Sequence, residues 1–109
     1  LDCNAANREM CVYNQNNNMK SNFEYNWVFD GLASQDEVFE EVKPLVISSL
    51  DGFNVSIIAY GQTSSGKTYT MEGLPKAPGI TFKALEEMFI EIRDRTDHEY
   101  TIMMSIMEV

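Results

Sequence analysis

The sequence predicts an α/β layered fold, and three stretches carry that expectation. Phe23, Tyr25, Trp27 and Phe29 alternate with Glu24, Asn26 and Val28, the period of two expected of a strand with one buried face. Val55-Ser56-Ile57-Ile58-Ala59-Tyr60 is almost continuously apolar or β-favouring, which suits a central parallel strand covered on both faces. Phe82, Leu85, Met88, Phe89 and Ile92 recur at helical spacing, with Glu86, Glu87, Glu91 and Arg93 on the other side, the pattern of an amphipathic helix reaching to about Arg95. Taken in chain order with the elements between them, the series is strand, helix, strand, helix, strand.

Each remaining element has its own local reason. Residues 1–22 are polar and asparagine-rich, with Asn14 to Asn18 reading Asn-Gln-Asn-Asn-Asn. That composition favours turns and builds no core, so a loop between two short strands is expected there. The strand from Phe23 should stop at Asp30-Gly31. Ser34 can then cap a helix, Glu37 completes a capping box three residues later, and Asp36 and Glu37 sit at the positive end of the dipole. Val38, Val42, Leu45, Val46 and Leu50 form its apolar stripe, Pro44 inside it predicts a kink or a break, and Gly52 supplies the stop. A short helix should begin near Gly66 and end around Glu72-Gly73, before a loop punctuated by Pro75, Pro78 and Gly79. Tyr100 to Val109 alternates again and reads as a strand, with Met103, Met104 and Met107 as core filler.

Charge and composition exclude several functions. Seventeen acidic against eight basic side chains give a net charge of −9, which argues against nucleic acid and anionic lipid as partners, because both are held by Lys and Arg. No run approaches a membrane span and no basic-then-apolar signal opens the chain, so no membrane association and a cytosolic site are expected. Cys3 and Cys11 lie in a polar segment without neighbouring His or further Cys, short of a zinc site or a disulfide framework, and read as reduced thiols. His98, between Asp97 and Glu99, reads as a solvated loop residue.

The chemistry is concentrated in Gly61-Gln62-Thr63-Ser64-Ser65-Gly66-Lys67-Thr68, which fits G-x-x-x-x-G-K-[ST] without a mismatch and lies between a predicted strand and a predicted helix. Polyphosphate oxygens are crowded and negative. A loop that holds them must bring several backbone N–H groups close, which side chains at positions 61 and 66 would obstruct. The start of the helix adds further donors and a positive dipole end. In such a cradle Lys67 lies across the outer phosphates, while the Thr68 hydroxyl is placed to hold Mg²⁺. Holding phosphate is not cleaving it, however. Hydrolysis needs a positioned water and usually an Asp at the end of another strand. Asp30 ends the one apolar run with an Asp, and it reads as a strand-terminating turn residue. No catalytic constellation is visible.

The longer run from Ala59 through Glu72-Gly73 resembles the nucleotide loop of the kinesin motor domain. The resemblance extends to Val28-Phe29-Asp30, Ser34-Gln35-Asp36-Glu37-Val38-Phe39 and Leu50-Asp51-Gly52-Phe53-Asn54-Val55 before it. After it, Gly79-Ile80, the amphipathic helix and Met107-Glu108-Val109 are also similar. It covers residues 23–109 and leaves the polar segment 1–22 unmatched.

The resemblance implies a P-loop NTPase-type central sheet flanked by helices, incomplete here and forming the first third or so of a motor domain. It implies ATP as ligand, with Gln62 to Thr68 around the phosphates and Mg²⁺, and Tyr69 stacking near the adenine. It also implies microtubules as the partner of the parent protein, contacted through parts outside this chain, a microtubule-associated cytoskeletal location, and compatibility with a dimeric parent. The Tyr69-to-Gly73 run and the Leu50-to-Asn54 turn lean toward kinesins with the motor at the C-terminus.

The Arg-x-Arg-Pro-like adenine contact, the two switch motifs, the microtubule-binding helix, the neck and any coiled coil are not found in these residues. ATP turnover is therefore expected of the complete domain and not of these 109 residues alone. Two other readings stay open: a non-catalytic truncated motor fragment, and an unrelated P-loop nucleotide kinase.

Overall fold

The structure is a computed structural model and describes residues 2–4, 8–14 and 19–107. The chain divides into two units, residues 1–42 and 43–109.

In the first unit β1 (Asp2–Asn4), β2 (Glu9–Asn14) and β3 (Met19–Glu24) form an antiparallel sheet in the order β1-β2-β3. The β2–β3 register runs from Glu9↔Glu24 to Asn14↔Met19. Two short strands thus flank the asparagine-rich stretch. The loop expected there, at residues 15–18, lies outside the described residues, as does the side chain of Cys3. Cys11 is a free thiol.

The strand expected over Phe23 to Phe29 is corrected: it begins at Met19 and ends at Glu24. The reason lies in its partner. Glu24 already pairs with Glu9, the first residue of β2, and the last bond on that side is Tyr25 N donating to Arg8 O at 3.0 Å. Past that point the ladder does not continue among the described residues. Alternation therefore continues without a sheet: Tyr25 and Trp27 stay half exposed, and the buried residue is Val28. The Trp27 ring instead receives the Arg8 guanidinium, 4.3 Å from its centroid, a cation–π contact. Asp30 ends the segment as expected of a turn residue, its Oδ1 accepting from Leu32 N at 2.8 Å and its carbonyl from Ala33 N at 3.3 Å.

Helix α1 (Gln35–Leu50) starts in the first unit and continues into the second. Its capping box forms as read. Glu37 N donates to Ser34 Oγ at 3.2 Å, and Glu37 Oε2 accepts from Ser34 N at 2.7 Å. Of the kink or break expected at Pro44, the break does not occur, for the helix runs from Gln35 to Leu50 without interruption. One missing N–H and its steric cost are tolerated in a helix that buries Phe39 and Val46. The buried face is also rotated from the expected stripe, with Gln35, Phe39 and Val46 inside and Leu45 exposed. Gly52 stops the helix at φ +93. Gly52 N donates to Ser49 O and Phe53 N to Ser48 O, both at 3.2 Å, the paired bonds of a Schellman end.

In the second unit residues 53–60 form no strand among the described residues. Val55, Ile57 and Ala59 are half-buried, while Ile58 and Tyr60 are 83% and 99% exposed. The expected central strand covered on both faces is therefore corrected to an extended run covered on one. Apolar content marks a segment that favours burial in a sheet, but a ladder also needs a neighbouring strand.

Helix α2 (Lys67–Met71) follows, then a two-residue ladder of β4 (Gly73–Leu74) with β5 (Ala77–Pro78) where only a loop was expected. Helix α3 (Ile80–Asp94) has Leu85, Met88 and Ile92 half-buried, but Phe82 and Phe89 are exposed and the buried residue is Ile80. Lys43 Nζ on α1 meets Glu87 Oε1 on α3 at 2.9 Å, and Arg95 Nη1 meets Asp51 Oδ1 at 2.6 Å. His98 is exposed beside Asp97, as expected of a loop residue.

The strand expected over Tyr100 to Val109 is likewise corrected. Residues 100–107 carry no strand, and Glu108 and Val109 lie outside the described residues. Met103, Met104 and Met107 are exposed, so they fill no core here.

Candidate functional site

Between the extended run and α2 the backbone reverses within a few residues. Ser65 N donates to Gln62 O at 3.2 Å, closing a four-residue turn. Its third residue, Ser64, has φ +63, a left-handed conformation that costs a residue with a Cβ roughly 1–2 kcal/mol. Gly66 follows at φ +96 as the N-cap of α2 and meets no such cost. Thr70 N then donates to Gly66 O at 2.9 Å. Backbone N–H groups in the first turn of an α-helix find no acceptor within the helix itself.

Lys67 closes the loop from the other side. Its Nζ donates to Gly61 O at 2.8 Å and to Gln62 O at 2.6 Å. An ammonium has three donors, so one remains for an incoming anion while the other two hold the loop's first residues against its last. Close approach at Gly61 has a direct measure. A Cβ built there would lie 2.5 Å from Ser65 Oγ, so position 61 admits no side chain unless Ser65 moves.

The residues singled out from the sequence are distributed as follows. Gly61, Gln62, Thr63, Ser64, Ser65 and Gly66 are exposed along the loop, Lys67 is half-buried, and Thr68 and Tyr69 are exposed in the first turn of α2. All are consecutive, so the loop brings them together by its own conformation. Asp30 belongs to the other unit, where its carboxylate is engaged with its own turn. Among the described residues no three His, Cys, Asp or Glu side chains are grouped to hold a metal ion.

Two residues that support the loop were passed over as punctuation. Gly79 N donates to Glu72 O at 2.9 Å, and a Cβ on Gly79 would fall 2.6 Å from Thr70 O. Gly73, at φ +74, has no room for a Cβ against the backbone of Ala77 to Gly79. These glycines let the β4–β5 hairpin close against the end of α2. The signal was present in the sequence as two glycines six residues apart, but a glycine needed for close contact looks the same as one needed for a turn.

The chain is similar to known proteins of one family. The family model for the kinesin motor domain matches residues 3–109, so the match reaches back well before Phe23, where the motif-based resemblance starts. Kinesin-like protein KIN-14T of Arabidopsis thaliana is 43% identical over 90 residues, which are 83% of this chain and 10% of that protein. The solved C-terminal motor domain of Kar3 from Candida glabrata superposes with a TM-score of 0.71 at 43% identity, over 79% of this chain and 28% of that one. KIF14 residues 391–755, solved with ADP in complex with a microtubule, gives a TM-score of 0.69 at 35% identity, over 82% of this chain and 27% of that one. The chain thus spans about a tenth of the relative's length and about a quarter of the solved motor domains.

Proposed function

Since the chain belongs to the kinesin motor domain family, we propose that it supplies the nucleotide cradle of a microtubule motor whose complete domain hydrolyses ATP. The observation that carries this reading is the closed loop from Gly61 to Lys67, with a cation pinned to its first two carbonyls. Support for the nucleotide comes from KIF14, solved with ADP, and support for the track comes from the microtubule in the same complex.

The residues fit a magnesium-bound triphosphate in three respects. The loop closes tightly at Gly61, where a Cβ would meet the Ser65 side chain. Lys67 holds a fixed positive charge there, with one donor to spare. Thr68, the next residue, offers a hydroxyl of the kind that ligates Mg²⁺ when the ligand's own oxygens supply much of the remaining coordination. When bound, Mg²⁺ neutralises charge between the outer phosphates. In this assignment Gln62 to Thr68 wrap the phosphates and Tyr69 flanks the base. Residues 61–69 orient the nucleotide, and the groups that position the attacking water belong to other parts of the motor domain. Residues 53–60 and 100–107 are assigned to strands of that domain's central sheet.

The test is microtubule co-sedimentation and phosphate release by the full-length protein. Binding of microtubules with a non-hydrolysable ATP analogue, and ATP turnover stimulated by microtubules, are the expected results. ATP-dependent phosphorylation of a small nucleotide without any microtubule effect would replace this reading with that of a P-loop kinase.

A further inference from the structure

We draw no further inference here: the strongest candidate, the exposed apolar rows of residues 53–60 and 100–107, belongs to the sheet already proposed for the complete motor domain, and nothing among the described residues shows any other occupant.

Discussion

The cradle from Gly61 to Gly73 and the extended run that leads into it are adjacent in the chain, yet their determinants lie at different distances. Every feature that shapes the cradle is a few residues from the group it acts on: the Gln62–Ser65 turn, the left-handed Ser64 and Gly66, and the Lys67 ammonium on Gly61 and Gln62. The run from Phe53 to Tyr60 has no such closure. Its apolar side chains favour a covered sheet, and half of them face solvent among the described residues. Local conformation can be complete in a short stretch of chain. Strand pairing cannot, because each ladder bond belongs to two segments.

Four expected outcomes break or sharpen this contrast. The largest concerns Ile58, which is 83% exposed. If residues 53–60 are a central strand in the full-length protein, Ile58→Asp there buries an unpaired carboxylate and should destabilise it by at least about 4 kcal/mol. In the 109 residues alone the same change should stay within about 0.5 kcal/mol. Urea unfolding of both proteins checks the pair, and equal effects would remove the distinction between run and cradle.

Next is Lys67→Ala in the full-length protein. It should weaken nucleotide binding by about 1.5–3 kcal/mol, the range for a hydrogen bond to a charged group, as read by titration calorimetry. Unchanged affinity would mean that the ammonium serves only the loop's own carbonyls. Gly79→Ala probes the other end of the cradle. Its Cβ would meet the backbone of Thr70 and Met71, which cannot swing aside as the Ser65 side chain can at Gly61. A loss of about 1–3 kcal/mol is expected from thermal unfolding. A neutral result would show that β4–β5 sits loosely on α2.

The smallest effect is in the first unit. Ser34→Ala removes the cap of α1 and should cost about 1 kcal/mol. The Ser34 backbone N–H, and then its hydroxyl, hold the Glu37 carboxyl below its usual pKa. A carboxylate with a lowered folded pKa stabilises above its unfolded value and loses that contribution as pH falls through the folded one. The stability of the wild type should therefore decline more steeply below about pH 4.5 than that of Ser34→Ala. Parallel melting-temperature profiles would deny the Ser34 hydroxyl its share of that effect, the backbone N–H being kept in the variant.

The same contrast explains what could be read from the residues. The capping box at Ser34 and Glu37, the stop at Gly52, the turn at Asp30 and the short helix after Gly66 were all legible, because each rests on groups within about four residues of one another. The α/β class was read from the alternation of expected strands and helices, and it is the likeness to solved kinesin motor domains that bears it out. The limits of β3 were not legible, since they depend on Glu9 opening β2 opposite Glu24. Nor were the fates of residues 53–60 and Met103, Met104 and Met107, whose apolar character states a preference for burial without naming a partner. At Pro44 a break was one of the two expected outcomes, and the helix that buries Phe39 and Val46 continues through it. In the candidate site, the consecutive residues 61–69 were visible as a pattern. The supporting glycines at 73 and 79 were not, because their need for close contact arises only when the hairpin folds back.

The central claim, that the loop from Gly61 to Thr68 is itself the phosphate-holding element, is tested most directly by backbone amide hydrogen exchange of the full-length protein with and without Mg²⁺-ATP. Slowed exchange centred on the amides of residues 62–69 is the predicted result. Saturating nucleotide binding with those amides unchanged, and protection appearing elsewhere, would contradict it.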